Sequence, residues 1–379
     1  MISYRKEIDM SIEVVEVKNK KDLKKFITFP WKVYKDDKHW VPPLISERMH
    51  FFDKTKNPYF NTANVSLFLA IEDGEIVGTI SAHADYGYIK FWNEPSAFFG
   101  FFECLPEYRY AEVLFNTAIS WAKRNGYKRI LGPFNFNTNH ECGLLIDGFD
   151  SDPIIEMTYN PRYYIDYYER FGFEKAKDLY AYFINAKQPP EYLDRIIEKI
   201  KQRGKINLRY VDLKHFNAEV DIIKEIYNKA WSRNWGFVPL TDQEFYFIAK
   251  SLKQIVEPEL AMIAEVNNKP AGFSLSLPDY NVVAKAMNGR LFPFGIFKFL
   301  IAKRNIKFIR VFTLGVIPEY QYLGIGALLY YQTWKNGLKK GYQGAEMSWI
   351  LEDNIQMNHA IKRIGGEIYK TYRIYSKQV

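Results

Sequence analysis

Cysteine is nearly absent from this chain. Cys104 and Cys142 are the only two, so no disulfide framework can form and a reducing compartment is expected. Long apolar runs are missing too, none approaching the ~18–20 residues that cross a bilayer. The N-terminal stretch MISYRKEIDMSIEVVEV is charged and lacks the apolar core of a secretory signal. A cytoplasmic protein is therefore expected. The six His show no zinc-ligand spacing, and the chain has no EF-hand loop or nucleic-acid-binding motif. Neither a metal nor a nucleic acid is expected as a partner.

Aromatic residues, by contrast, are plentiful. With 28 Tyr, 29 Phe and 8 Trp, they make up 17% of 379 residues, and hydrophobic residues reach 47%. That composition argues against disorder, and the length suits two cores better than one. The net charge of +8 suits an anionic small ligand, a nucleic acid or a membrane surface equally, so alone it decides little.

The chain is written twice. HWVPPLISERMHFF (39–52) returns as WGFVPLTDQEFYFI (235–248), and AIEDGEIVG (70–78) as AEVNNKPAG (264–272). PEYRY (106–110) returns as PEYQY (318–322), and YERFGFEK (168–175) as IKRIGGEI (361–368). Four matches in one order imply an internal duplication. The seam falls at the prolines of INAKQPPEYLDRI, which divides the chain into residues 1–187 and 188–379. Each half reads as a first strand, helical segments, a hairpin, a central strand, and a helix opened by Pro-Glu-Tyr. A further strand, a helix and a last strand follow. The expected class is α+β, each half a mixed, mostly antiparallel sheet with helices on both faces.

The second half carries Gln321, Tyr322, Leu323, Gly324, Ile325 and Gly326 between an apolar strand and a helix. A helix N-terminus offers unpaired N–H groups to an anion, and glycines let a diphosphate approach the backbone. A tightly packed helix start would need the same glycines. The phrase is neither a Walker loop nor a dinucleotide fingerprint.

In its setting, strand–VIPEYQYLGIGALL–strand GAEMSWI–EDN–helix, the phrase resembles the GNAT acyltransferase superfamily, whose signature here is Gln/Arg-x-x-Gly-x-Gly/Ala. The resemblance implies that backbone amides from Gln321 to Gly326 cradle the pyrophosphate of acetyl-CoA or another acyl-CoA. It also implies that the backbone of Leu314 to Val316 splays from its neighbour to bond the pantetheine arm, with Asn354 nearby. An amide near Val316 would hold the oxyanion. The first half has Arg109 in place of Gln321, and Ala111, Glu112 and Val113 where the glycines should be. It reads as a degenerate copy.

Acid and base candidates are split between the halves. The family's Tyr falls on Tyr168 in the first half and on Ile361 in the second, and Ile cannot donate a proton. A core aromatic is the other reading of Tyr168. Glu352, Glu346 and Ser348 lie on or after the strand beside the thioester, where a strand face or helix-dipole role would also place acids. The insertion at 132–164 offers Asn135, Asn137, Asn139, His140 and Glu141 directly after a strand, either as an acceptor pocket or as turn formers. Trp235 falls at the expected substrate lip. A second insertion (281–311) mixes Phe, Leu and Ile with Arg290, Lys298, Lys303, Arg304 and Lys307. It reads as a helix packed on the sheet with its cations in water, a cover for an acyl chain, a contact to the CoA 3′-phosphate, or a membrane contact.

The expected activity is acyl-CoA-dependent N-acylation of a small-molecule or peptide amine by direct attack on the thioester. The alternatives are a non-catalytic CoA sensor and a peptide- or lipid-handling acyl- or aminoacyl-transferase.

Overall fold

The computed structural model describes residues 12–203, 206–291 and 295–379. The charged N-terminal segment 1–11, with its expected lack of a signal, lies outside them, as do parts of the seam (204–205) and of the second insertion (292–294).

The first half contributes β1 (Glu13–Glu16), β2 (Ala63–Glu72), β3 (Glu75–Asp85), β4 (Ser96–Cys104), β5 (Arg129–Gly132), β6 (Leu144–Asp147) and β7 (Glu174–Asn185). The second contributes β8 (Ile206–Tyr210), β9 (Ala261–Val266), β10 (Lys269–Pro278), β11 (Phe308–Val316), β12 (Gly344–Leu351) and β13 (Glu367–Gln378). All of them join one mixed sheet in the order β1-β2-β3-β4-β5-β13-β7-β12-β11-β10-β9-β8, with β6 paired to β13. Only β4–β5 and β11–β12 run parallel.

The sequence repeat is thus a structural repeat, with one addition. The halves trade their last strands. β7, which ends the first half, pairs with β12 of the second, and β13, which ends the second, pairs with β5 of the first. The two traded strands then pair with each other along most of their length, from Glu367↔Phe183 to Ser376↔Glu174.

Local chemistry explains the elements. The β2–β3 hairpin turns at Asp73 and Gly74, both at positive φ (51° and 80°), the pattern of a two-residue tight turn. Asn267 and Asn268 do the same for β9–β10. The helix Tyr108–Arg124 buries Ala111, Leu114, Phe115 and Ala118 against the first sheet, an i, i+3, i+4, i+7 stripe. Its counterpart Ile325–Lys339 buries Ile325, Leu328 and Leu329. Helix Glu191–Arg203 follows directly on the two prolines of the seam.

Candidate functional site

The second half's parallel pair comes apart. β11 and β12 pair from Phe308↔Gly344 to Val311↔Met347 and no further, although both strands continue for several residues. Above Val311 a slot opens between them. The Ile317 N–H bonds the Ala271 carbonyl on the β10 side (2.8 Å). Strand alternation therefore turns the N–H groups of Leu314 and Val316 toward the slot.

At the top of the slot the chain makes a 3₁₀ turn, Pro318–Leu323, and enters the helix Ile325–Lys339 through Gly324. Gly324 has φ +75°, the left-handed region that favours glycine, and a Cβ there would press on the end of the Ile200 side chain, 2.8 Å from Cδ1. The first intrahelical bond runs from Leu328 N–H to the Gly324 carbonyl (3.1 Å). The amides of Ile325, Gly326 and Ala327 lie ahead of it, at the positive end of the helix dipole. Gln321 Nε2 donates to the Val316 carbonyl (3.3 Å), tying loop to strand. A Cβ at Gly326 would meet only Val316 Cγ2, at 3.9 Å. Open space and free donors are what a diphosphate needs.

The corresponding slot in the first half is filled. β4 and β5 pair only from Ser96↔Arg129 to Phe98↔Leu131, but there the following loop enters the gap. Phe134 N–H bonds the Phe99 carbonyl (2.8 Å), and Asn135 Oδ1 accepts from Phe101 N–H (2.8 Å). Gly100 admits this loop so closely that a Cβ would sit 1.8 Å from the Phe134 carbonyl oxygen. The Arg109 guanidinium is held by Glu72 and Glu107.

A cavity of about 730 Å³ joins the open slot to both halves. Leu314, Val316, Gln321, Gly324, Gly326 and Asn354 border it at the strand and loop end. Ser348, Asn139, His140 and Trp235 border it as well. Its far wall is apolar, formed by Val220, Ile223, Phe245, Leu252 and Leu275 from the helices Phe216–Trp231 and Asp242–Leu252 and from β10.

Other residues expected at the site stand elsewhere. Tyr168 is fully buried among Phe99, Phe102, Phe115 and Phe173. Its hydroxyl has no hydrogen-bond partner. It is a core aromatic, with no path for a proton. Glu352 accepts from Lys175 Nζ (2.6 Å) and Asp178 N–H (3.0 Å), and so fastens β12 to β7. Glu346 is sealed beneath the slot, where it accepts from Ser348 and Tyr369 and lies 3.9 Å from Arg310 Nε. Burial raises its pKa. Tyr322 is 83% exposed and Ile325 is core, while Leu323 packs beside the β9–β10 hairpin. Any part these three play in a cradle falls to their backbone. Asn137 is buried and donates to Asp85 (2.7 Å), and Glu141 is paired with Arg48 and accepts from Asn135.

Of the first-insertion residues that line the cavity, His140 and Glu156 are the candidate bases. His140 Nδ1 lies 2.9 Å from Asn137 Oδ1. The Asn137 amide nitrogen is already committed to Asp85, so its oxygen accepts and Nδ1 carries the proton. The lone pair is then on Nε2. Burial lowers the His140 pKa to about 4, so the ring is neutral at pH 7.

The second group is Glu156, which the sequence did not single out. Its side chain lines the cavity and stays accessible there. Burial first, then the Glu141 carboxylate, pushes its pKa up to about 7. The backbone at Glu156 has φ +59°, unusual for a non-glycine residue and a recurrent mark of functional sites. Arg310 holds it there. This arginine is 1% exposed and donates through Nη1 to the carbonyls of Ile155 (2.9 Å) and Glu156 (2.8 Å), and through Nε to Ser348 Oγ (3.0 Å).

Comparison with known proteins agrees with this geometry. The chain is 36% identical over 369 residues to protein YghO of Escherichia coli (strain K12), covering 95% of this chain and 94% of that one. It is 35% identical over 387 residues to the bacterial ceramide synthase of Caulobacter vibrioides, covering 97% of each. The profile of the Acetyltransferase (GNAT) family matches residues 31–140. This chain belongs to the GNAT superfamily. Among solved structures, a tandem GNAT protein from the clavulanic acid biosynthesis pathway superposes over 97% of this chain and 98% of its own, with a TM-score of 0.57 at 11% identity. That likeness extends the GNAT fold to both halves. The family profile falls on the half whose slot is filled, while the open slot and free amides stand in the other.

Proposed function

We propose that this protein is an N-acyltransferase that moves a long acyl chain from coenzyme A to the amine of a lipid-like acceptor. One observation carries the reading: a single cavity links the free helix amides and open slot to an ionisable group and a long apolar wall. The diphosphate lies on the amides of Ile325 to Ala327, and the pantetheine arm runs along Leu314 to Val316. An acetyl group would leave the apolar wall unused, whereas a fatty acyl chain covers it. The relative named as a ceramide synthase supports the same class, since a ceramide is an amide of a fatty acid and a long-chain amine.

Glu156 is the base in this reading. General bases work best with a pKa near the working pH. That requirement favours Glu156, at about 7, over His140, at about 4. Glu156 takes a proton as the amine nitrogen attacks the thioester carbonyl. The C–S bond then breaks, giving the amide and the CoA thiolate, and the proton returns through solvent. The Leu314 and Val316 amides face the slot in which the oxyanion forms. His140 Nε2 accepts a hydrogen bond from the amine and orients it.

The test is release of CoA thiol with donors from acetyl-CoA to palmitoyl-CoA and a long-chain primary amine. Turnover that rises with acyl length supports the reading. Turnover confined to acetyl-CoA, or CoA binding with no turnover for any donor, overturns it.

A further inference from the structure

The second insertion forms two short helices, Asn281–Met287 and Gly295–Lys303, packed against each other. The second rests on Val283 and Met287 through Phe299 and Ala302. Its opposite face is bare. Ile296 is 49% exposed, Phe297 64%, Leu300 59% and Ile301 67%. Soluble proteins seldom leave four large apolar side chains together in water.

The arrangement of these residues says what covers them. At 3.6 residues per turn the four span an arc of about 140°, and Lys298 and Lys303 stand at its two edges. Arg304 and Lys307 follow, and Arg290 precedes the helix. Among the described residues none of these five cations pairs with a carboxylate. Lys303 lies over the Tyr280 ring, 5.9 Å from its centroid. An apolar stripe edged by lysines without carboxylate partners is the pattern of a helix lying in a membrane surface, its side chains in the acyl region and its ammonium groups at anionic headgroups. A protein partner of matching shape would not need unpaired cations on both flanks. No helix among the described residues is long and apolar enough to span a bilayer, so the contact is with one leaflet. None of the four exposed apolar side chains borders the cavity, so they are free to meet something outside it.

We infer that the helix Gly295–Lys303 docks the protein onto the surface of an anionic lipid membrane. The docking unit is tied to the acceptor side of the cavity. Asn281 Nδ2 donates to the Pro153 carbonyl (2.8 Å), Asp279 Oδ1 accepts from Ile155 N–H (3.0 Å), and Lys285 pairs with Asp152. The segment so held, 152–156, ends at Glu156. A membrane-resident acceptor would therefore be met by the same part of the molecule that lines the acceptor pocket.

The test is flotation of the purified full-length protein with vesicles of phosphatidylcholine containing one-third phosphatidylglycerol, against phosphatidylcholine alone. The expected result is binding to the anionic vesicles that weakens with salt. The triple variant Phe297→Ser, Leu300→Ser, Ile301→Ser should bind about tenfold less or weaker still, with an unchanged melting temperature. Lys298→Glu with Lys303→Glu should lose the preference for anionic vesicles. Wild-type protein that stays unbound, or a triple variant that floats like the wild type, overturns the inference. So does a wild-type dimer that the triple variant abolishes without any vesicle binding, since that places a second copy on this face. No substrate is present, so failure here leaves the acyltransferase reading untouched.

Discussion

Replacing Gly326 by Asp sets a carboxylate among the free amides at the head of the helix Ile325–Lys339. The fold should accept it, because a Cβ at this position meets nothing closer than Val316 Cγ2 at 3.9 Å. An acid in the first turn of a helix is also mildly stabilising. A bound diphosphate would not accept it. Two unit charges about 4 Å apart repel by about 4 kcal/mol at an effective dielectric near 20. Water reaching the loop roughly halves this, so CoA affinity should fall about 30- to 1000-fold. Gly326→Asn supplies the matching control, adding the same bulk without charge, and should weaken CoA only a few-fold. Calorimetric titration with CoA measures both, and thermal melting confirms that each variant is folded. Equal CoA affinity in wild type and Gly326→Asp, or equal losses in the Asp and Asn variants, would refute the placement of the diphosphate.

Glu156→Gln should lower kcat by about 10²- to 10⁴-fold with little change in KM for the amine. Wild-type turnover should climb as the pH rises through about 7, where Glu156 loses its proton, and the variant should lack that rise. Tyr168→Phe removes a buried hydroxyl that has no partner. Stability should rise by about 1 kcal/mol in urea melts, with turnover unchanged, whereas a fall in turnover would restore Tyr168 as a proton donor. His83 is fully buried, with Nε2 bonded to the Phe136 carbonyl (2.7 Å) and its pKa lowered by burial to about 4. The unfolded chain takes up this proton below about pH 6.5 and the folded chain only near 4. Its contribution is therefore complete above 6.5 and lost as the pH falls toward 4, by about 3 kcal/mol. His83→Gln should make the urea midpoint less sensitive to pH across that window.

Much of this was legible because its causes are local. Turn glycines, the Pro-Glu-Tyr phrase and the alternation in VSLFLAIEDGEIVGTISAHAD each act within a few residues, so the duplication, the hairpins and the glycine loop could be read directly. The proposed role of Glu156 could not. Its unusual backbone is held by Arg310, 154 positions away, and its raised pKa comes from burial and from Glu141. Isolated in the chain, Pro-Ile-Ile-Glu is an ordinary loop. One available signal was an Arg inside the otherwise apolar strand FIRVFTLGV, since a charge there must find partners. Tyr168 stayed open between two readings for the opposite reason. Its phrase matches the family, but whether a hydroxyl faces a slot or a core is fixed by what fills the slot, and Phe134 and Asn135 fill this one. Strand exchange was equally hidden, because β7 and β13 carry similar patterns and either could close either sheet.

That exchange sets an order of assembly. The first half is synthesised complete except for the strand that flanks β5, which belongs to the end of the second half, Glu367–Gln378. Until it arrives, β5 and one side of β7 carry bare backbone edges, and β7 has no neighbour before β12 emerges. The earlier-made half must therefore wait for the later one, and the C-terminal strand acts as a latch that closes both together. A chain cut between the halves yields two fragments that each lack a strand the other holds. Mixed in solution, such fragments have reason to find one another.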